Sequence, residues 1–282
     1  MAELNAVGSL RKMSTSLIDG GDASQAQYEF IIGDECIPFN PMLGKSIKIA
    51  YQEAIYCQHC GRKSNKSFNQ GYCYPCFKKL AQCDSCIVSP EKCHYFEGTC
   101  REPSWADSHC MQSHYVYLAN STGVKVGITR GNQIPTRWID QGAVQALPIF
   151  KVANRLQSGL LEVIFKAHVA DKTSWQKMLK GNIDAVDLVA ARDELLALNN
   201  DAIARLQDEQ GVQALQPIND VAVVSIDYPV EQYPVKVKSF NLDKTPVVEG
   251  QLMGIKGQYL ILDTGVINIR KYTGYDVELT VS

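Results

Sequence analysis

The sequence lacks long hydrophobic runs, an apolar leader and an excess of either charge. No stretch of its 282 residues approaches the about 18 consecutive apolar residues that a membrane-spanning helix needs, which excludes an integral membrane protein. The first twenty residues contain no apolar signal-peptide core, so we expect a cytoplasmic protein with no membrane partner. The formal net charge of -2 excludes a globally basic nucleic-acid coat, but it permits a local basic surface.

Cysteine is almost absent outside one short segment. Nine of the ten cysteines lie between Cys57 and Cys110, and the tenth is Cys36, which we predict to be a small buried residue. A disulfide framework is typical of a short secreted chain, whereas metal binding is the better interpretation for a chain without an export signal. The segment shows little apolar periodicity, so we expect bound metal to supply its folding energy.

The apolar patterning elsewhere predicts an α+β protein. The flanks, residues 1–52 and 213–282, consist of short strand-like runs separated by glycine and proline. We predict that the two flanks pair with each other in a small antiparallel β-barrel. Between them we predict a cysteine-rich region over 53–113 and an α/β core with additional helices over 114–212.

The central region has a predicted order of elements. Two strands, 115–119 and 124–129, are joined by a four-residue turn. A short helix starts near Pro135, a third strand follows, and Asn154 caps the next helix. The stretch 174–209 is predicted to be helical throughout.

Two C-x-x-C pairs predict a first metal site. Cys57 and Cys60 form one pair, and Cys73 and Cys76 form the other, twelve residues further on. Each pair places two sulfurs on a tight turn, and two such turns complete a tetrahedral zinc site. Gly61 permits the turn after the first pair. With a helix expected directly after Cys76, this layout is that of a treble-clef zinc finger. Four protein ligands make the predicted zinc structural rather than catalytic.

A second group of thiols predicts a second metal site. Four of its five members are expected to act as ligands, and the sequence does not identify the spare one. A second zinc ion is the first choice, and an iron–sulfur cluster is the alternative because it also needs four thiolates. The histidines nearby receive no assignment. The five candidates are Cys83, Cys86, Cys93, Cys100 and Cys110.

The central region resembles the GIY-YIG nuclease core. Tyr117, Gly127, Arg137 and Glu162 match its motif residues in order and approximate spacing, while Lys125 stands where the family usually has a second tyrosine. In such nucleases a tyrosine helps to activate water, the arginine stabilises phosphate charge and the glutamate holds a divalent cation. The resemblance implies a Mg²⁺- or Mn²⁺-dependent phosphodiesterase with these five residues as its catalytic group.

The chain also resembles a bacterial and archaeal family named only as domain of unknown function 2797. The resemblance covers roughly residues 45–180. It implies zinc binding and a cytosolic location, and it brings no established activity. The stretches that carry it are CQHCGR, GYCYPCF, CDSC, GTCREPSW, HYVYLAN, KVGITR, PTRWIDQGA and KTSWQKMLKG.

Local charge predicts where a nucleic acid would bind. Residues 54–82 contain five basic and no acidic side chains, although a solvated surface has the same pattern. A tryptophan in the Pro135 helix could stack on a base or pack in the core. The predicted nucleic-acid contacts are Arg130, Trp138, Lys63, Lys78 and Lys79.

Three functions remain open from the sequence. The first is a metal-dependent nuclease that acts on DNA or RNA. The second is a non-catalytic nucleic-acid-binding module that keeps only the fold, which Lys125 slightly favours. The third is a protein-interaction module that docks through residues 184–209, where seven acidic residues accompany two arginines.

Overall fold

The computed structural model describes residues 4–169 and 173–282, whose strands form two β-sheets. In chain order the strands are β1 (Leu4–Ser9), β2 (Ser14–Ile18), β3 (Ser24–Ile32), β4 (Glu35–Pro38), β5 (Ser46–Ile55), β6 (His114–Asn120), β7 (Val124–Arg130), β8 (Gln145–Val152), β9 (Leu215–Pro217), β10 (Val224–Asp227), β11 (Val247–Lys256), β12 (Tyr259–Leu262), β13 (Gly265–Asn268) and β14 (Tyr275–Val281).

Short helices connect and cover these strands. Among the described residues, none is long and apolar enough to cross a membrane. In chain order they are α1 (Tyr74–Lys79), α2 (Pro103–His109), α3 (Thr136–Asp140), α4 (Arg155–Phe165), α5 (Trp175–Met178), α6 (Leu188–Leu198) and α7 (Asn200–Gln210). Together with the two sheets, these helices confirm the mixed α+β class.

The first sheet joins the two ends of the described chain. Its strand order is β1-β14-β5-β11-β12-β13. Leu4 of β1 and Ile47 of β5 both lie opposite Val281 of β14, so the last strand is paired on both edges. Side chains alternate between buried and more exposed positions along β14, as a strand with one apolar face requires. The flanks therefore meet in one sheet, and closure of that sheet into a barrel stays a prediction.

The second sheet contains the central strands. Its order is β2-β3-β10-β8-β6-β7, with β4 added beside β3 and β9 beside β8. The amino-terminal flank is thus divided, because β1 and β5 join the carboxy-terminal strands while β2, β3 and β4 extend the central sheet. Residues from both sheets and from α3 share one hydrophobic core. The opposite face of β6 and β8 packs against α4, α6 and α7 in a second core.

Helix boundaries follow local capping chemistry. The Asn154 side chain accepts a hydrogen bond from the Gln157 backbone N–H at 3.1 Å, which confirms the predicted cap of α4. The prediction of one helical stretch over 174–209 is wrong. The chain leaves the helix after α5, and Gly181 adopts a positive φ of 79°. A new helix, α6, then starts where Asp187 accepts hydrogen bonds from the first backbone N–H groups.

Candidate metal centre and cationic cleft

The first cysteine cluster has the geometry of a metal site. The sulfur atoms of Cys57, Cys60, Cys73 and Cys76 all lie within 4.8 Å of one another, and those of Cys60 and Cys73 are 3.7 Å apart. A tetrahedral zinc ion with bonds of about 2.3 Å separates its sulfur ligands by about 3.8 Å. The predicted four-thiol set is therefore confirmed as a group that could hold a metal such as zinc.

Backbone turns bring the four sulfurs together. Cys57 and Arg62 bracket the first turn, where the Cys57 N–H donates to the Arg62 carbonyl at 3.0 Å. Gly61 has a φ of 69° within this turn, a conformation that glycine adopts without steric cost. Cys73 lies immediately before α1, so the second pair occupies the first turn of that helix. The Gln58 backbone N–H donates to the Gly71 carbonyl at 2.7 Å, which joins the first turn to the segment before the second pair.

The environment of Cys57 favours the thiolate that a metal requires. Burial raises the pKa of this thiol, but hydrogen bonds from the backbone N–H groups of Cys60, Cys73 and His59 outweigh burial. The net effect lowers the pKa of Cys57 to about 6. Burial and the neighbouring thiols raise the pKa of Cys76 in the same cluster, so Cys57 is the thiol of this coupled set that ionises first.

The second cysteine group contains a different arrangement. Ligand atoms of Asp84, Cys86 and His94 lie within 4.8 Å of one another and could hold a metal ion. His94 has no assignment from the sequence, because a single histidine in a cysteine-rich loop usually packs or faces solvent. Cys36, predicted to be buried, is exposed on β4 because its neighbour Ile37 takes the inward side of the strand.

A cleft of about 740 Å³ collects basic side chains from distant parts of the chain. Among the described residues, its lining includes five lysine or arginine side chains, whereas only Asp140 and Glu162 contribute carboxylates. This local excess contrasts with the net charge of -2 for the whole chain. The cleft is therefore an electropositive site on an acidic protein. The basic residues are Lys12, Arg130, Arg137, Arg155 and Arg270.

Asp140 fixes the helix that carries Arg137. Its carboxylate accepts hydrogen bonds from Lys12 Nζ at 2.6 Å and from Gln258 Nε2 at 2.8 Å. Gln258 in turn accepts from the backbone N–H of Met13 at 2.9 Å. This network ties α3 to both flanks of the chain, so the Arg137 side chain projects from a supported helix.

Tyr117 lies under this part of the cleft rather than in it. Its side chain is fully buried, and its hydroxyl donates to Gln141 Oε1 at 3.1 Å. Burial raises the pKa of Tyr117, and the nearby Arg137 guanidinium lowers it only in part. Gly127 lies opposite Tyr117 in the sheet, where a Cβ atom would come within 2.6 Å of the tyrosine hydroxyl. Gly127 therefore makes room for the ring.

The structure brings some predicted site residues together and separates others. Arg130, Arg137 and Glu162 line the same cleft. Lys125 is buried and donates from Nζ to Thr173 Oγ1 at 2.6 Å, away from that lining. Trp138 packs in the core with its ring centroid 6.0 Å from that of Tyr117, so it offers no free face to a base.

The remaining basic candidates lie outside the cleft. Lys63, Lys78 and Lys79 are exposed on the cysteine-rich region, and they are not part of the described lining. Their exposure leaves them available for contacts beyond the cleft, and a role in binding stays a prediction. The acidic residues of 184–209 are likewise exposed, because α6 and α7 turn Leu188, Leu195 and Leu206 toward the second core. A protein partner for that surface also stays a prediction.

Sequence reasoning missed several cleft residues. Lys12 and Arg270 come from opposite flanks, and nothing in their local sequence pairs them. His114 lines the cleft with its Nδ1 bonded to the Gln112 carbonyl at 2.7 Å, which fixes Nδ1 as the donor. Burial lowers the pKa of His114 to about 4, so it is neutral at physiological pH. Trp105 also lines the cleft, stacked on a neighbouring histidine ring.

Comparison with known proteins identifies a family but no activity. The model of a family described as "Protein of unknown function (DUF2797)" matches residues 44–277. Because the match covers more than half of the chain, the protein belongs to that family. Searches of curated proteins and of solved structures found no match to the chain.

Proposed function

We propose that this protein binds zinc at its first cysteine cluster and the phosphate backbone of nucleic acid in its cationic cleft. The observation that carries the second part is the gathering of five basic side chains, against two carboxylates, in one cleft of an acidic chain. Neutralised phosphates release counterions, so clustered lysines and arginines favour a polyanion over a single small anion.

The side chains in the cleft suit a nucleic acid in two further ways. Arg130 and Arg137 each present a planar guanidinium that can pair two phosphate oxygens at once. Trp105 lies stacked on His109 with ring centroids 4.2 Å apart, and both rings line the cleft. An aromatic surface beside a basic groove is typical of single-stranded nucleic-acid binding, because every base has a face that can stack.

The local folds support this proposal. Two cysteine turns, the second opening α1, have the layout of a treble-clef zinc finger, which supports zinc as the ion. The order β6, β7, α3, β8, α4 is that of a GIY-YIG-like core, with Arg137 on the first helix and Glu162 on the second. In this proposal the GIY-YIG-like core carries the side chains that bind nucleic acid.

Equilibrium binding to labelled oligonucleotides tests the proposal. Single-stranded DNA, double-stranded DNA and RNA of equal length are titrated with the wild-type protein, Arg137→Ala and Arg205→Ala. Arg205 is the matched control because it is exposed on α7, outside the cleft lining. We expect Arg137→Ala to bind about tenfold more weakly, a loss of about 1.4 kcal/mol. Equal affinity for all three proteins, or no binding by any, would contradict the proposal.

Metal-dependent cleavage is the second candidate, supported by the presence of Arg137 and Glu162 in one cleft above Tyr117. Glu162 is the carboxylate that would hold Mg²⁺ or Mn²⁺, which would shield phosphate charge. The raised pKa of Tyr117 disfavours its use in activating water, and Lys125 contacts Thr173 instead. Binding without cleavage is therefore the first choice.

A cleavage assay separates the two candidates. Wild-type protein, Glu162→Ala and the control Glu209→Ala are incubated with oligonucleotides and Mg²⁺ or Mn²⁺. Glu209 is exposed near the end of α7. The binding proposal expects intact oligonucleotide with all three proteins. Cleavage by wild type and Glu209→Ala that is lost in Glu162→Ala would establish the nuclease instead.

A further inference from the structure

One small cavity in the cysteine-rich region is lined by four thiols. Cys86 belongs to a short 3-10 turn, Cys93 follows another such turn, and Cys110 follows α2. Cys100 lies in the irregular segment just before α2. The side chains of all four line the same cavity. This convergence identifies them as a set and shows which thiol of the second group stands apart.

Cys83 is the thiol that stands apart. It is buried but does not line this cavity, and the Asn69 side chain hydrogen-bonds its thiol. Asn69 lies in the loop between the two C-x-x-C pairs, so Cys83 packs against the first cluster. The second group therefore reduces from five candidate thiols to four, the number that one metal centre needs.

The four sulfurs of the second cavity do not form a compact group like that of the first cluster. In the first cluster all four sulfurs lie within 4.8 Å of one another, as zinc requires. Among the described residues, the four thiols of the second cavity form no such compact group. In a [4Fe–4S] cluster each thiolate binds a different iron atom, so the sulfurs stand further apart around a larger core. Four thiols that line one cavity without forming a compact group fit that larger core better than one zinc ion.

The nearby Asp84, Cys86 and His94 group is a weaker zinc candidate. Asp84 Oδ2 already accepts from Arg101 Nε at 2.7 Å, and its Oδ1 accepts from the Ser85 backbone N–H at 2.6 Å. His94 Nδ1 is 2.7 Å from Thr99 Oγ1. These bonds occupy both oxygens of Asp84, and His94 Nε2 lies 3.5 Å from Asp84 Oδ2. The Arg101 cation would also oppose a metal cation at the same carboxylate.

We propose that Cys86, Cys93, Cys100 and Cys110 hold a [4Fe–4S] cluster as the second metal centre of this protein. The cavity walls between the thiols are largely apolar, with Ile87, Trp105 and Ala106 among them. Such walls shield a cluster from solvent, one of the factors that set its stability and potential.

This centre also supports the cationic cleft. The Arg155 backbone N–H donates to the Cys110 carbonyl at 2.8 Å, and Arg155 Nη2 donates to the Ile87 carbonyl at 2.6 Å. Gly159 of α4 lies against Pro90, between Cys86 and Cys93, closely enough that a Cβ atom would come within 2.6 Å of the Pro90 Cβ. The loops around the cluster thus position Arg155 and the helix that carries Glu162.

Metal and sulfide analysis of the full chain tests this proposal without reference to nucleic acid. The protein is purified anaerobically from iron-supplemented cells, and iron, acid-labile sulfide and zinc are measured together with the visible spectrum. We expect about four iron and four sulfide per chain, with one zinc, and a brown colour that dithionite bleaches. Two zinc ions per chain with no iron would overturn the proposal.

Variants identify the ligands. Cys93→Ser and Cys100→Ser should each lose most of the iron and sulfide while keeping one zinc, whose retention shows that the first cluster is still folded. Cys83→Ser is the matched control from the same segment and should keep the iron. A double variant, Asp84→Asn with His94→Gln, should keep it as well. Loss of iron from that double variant, with retention in Cys93→Ser and Cys100→Ser, would contradict the assignment.

Discussion

The six-stranded sheet and the cysteine-rich region obtain their structure from different interactions. In the sheet, alternate residues such as Val277 and Leu279 are fully buried, so the strands are stabilised by apolar burial. The cysteine-rich region consists of turns and two short helices, and its buried set is small apart from cysteines. The difference teaches that the sheet has a hydrophobic core of its own, whereas we expect the cysteine-rich region to need a bound metal for its folding.

The cleft lies where these two parts meet. Lys12 and Arg270 reach it from the segments beside the first sheet, whereas Trp105 and His109 reach it from the cysteine-rich region. A nucleic-acid site in this position requires both parts to be folded. Perturbing either part should therefore weaken nucleic-acid binding. Loss of a cysteine ligand should lower the zinc content, whereas truncation of a core side chain should lower the free energy of unfolding.

Loss of a first-cluster thiol should have the largest effect. Cys73→Ser removes a buried ligand, and structural zinc contributes about 10–16 kcal/mol of apparent binding free energy in small zinc domains. We expect about one zinc per chain to be lost and the segment around α1 to become sensitive to proteolysis. Elemental analysis and limited proteolysis measure this. Cys36→Ser, on the exposed β4, is the control and should keep its zinc.

A core truncation in the sheet should destabilise the fold and leave zinc in place. Leu279→Ala removes a fully buried side chain from β14, for which the expected loss is about 2–5 kcal/mol of unfolding free energy. Denaturant unfolding with parallel zinc analysis measures both quantities. Val235→Ala, at a side chain that is 93% exposed, should change neither. Zinc loss in folded Leu279→Ala would show that the two parts are not independent.

Lys256 should make the stability of the sheet depend on pH. Burial lowers the pKa of this lysine to about 8, below the about 10.4 of an unfolded chain. Between these values the unfolded state binds the proton and the folded state does not, so the unfolding free energy rises with pH across that window. The rise is at most about 3 kcal/mol.

Replacing the buried amine tests this pH dependence. Lys256→Met should flatten the rise between about pH 8 and 10.4 and increase stability at pH 7, because no charge is then held in the core. Lys244→Met, at an exposed site, should keep the wild-type profile. Denaturant titrations at several pH values measure the effect. A wild-type profile that is flat, or that falls through this window, would contradict the assignment.

A methyl group at Gly159 should disturb the contact between α4 and the second cysteine group. Alanine is the better helix former by about 1 kcal/mol, but its Cβ would lie 2.5 Å from the Glu91 backbone nitrogen. We expect a net loss of about 1–3 kcal/mol from overpacking. Thermal unfolding measures it, with Val163→Ala on the exposed side of the same helix as control. A stability gain in Gly159→Ala would mean that the contact is absent.

Predictions from the sequence were confirmed for features that depend on residues close together in the chain. The C-x-x-C pairs and the Asn154 cap are set by neighbours a few residues away, and both are found as predicted. The break at Gly181 was missed, because helical apolar spacing continues on either side of it. The sequence around Trp138 is compatible both with stacking on a base and with packing in the core. Only the tertiary structure shows that this side chain is buried.

The features that could not be predicted from the sequence depend on contacts between residues far apart in the chain. Nothing near Lys12 indicates that it pairs with Asp140, and nothing near Arg270 places it beside Arg137 in one cleft. The joining of β2 and β3 to the central sheet depends on β10, which pairs with β3 in parallel. Such long-range pairings can be identified only in the folded structure.

The salt dependence of nucleic-acid binding tests the central claim most directly. Each phosphate that the cleft neutralises should add about -0.9 to the slope of log K against log salt concentration for duplex DNA, and about -0.7 for single strands. With three or more contacts, we predict a slope of about -3 on duplex DNA for the wild-type protein, reduced in size by about 1 in Arg137→Ala. A slope near zero, or one that Arg137→Ala leaves unchanged, would contradict the assignment of the cleft as the nucleic-acid site.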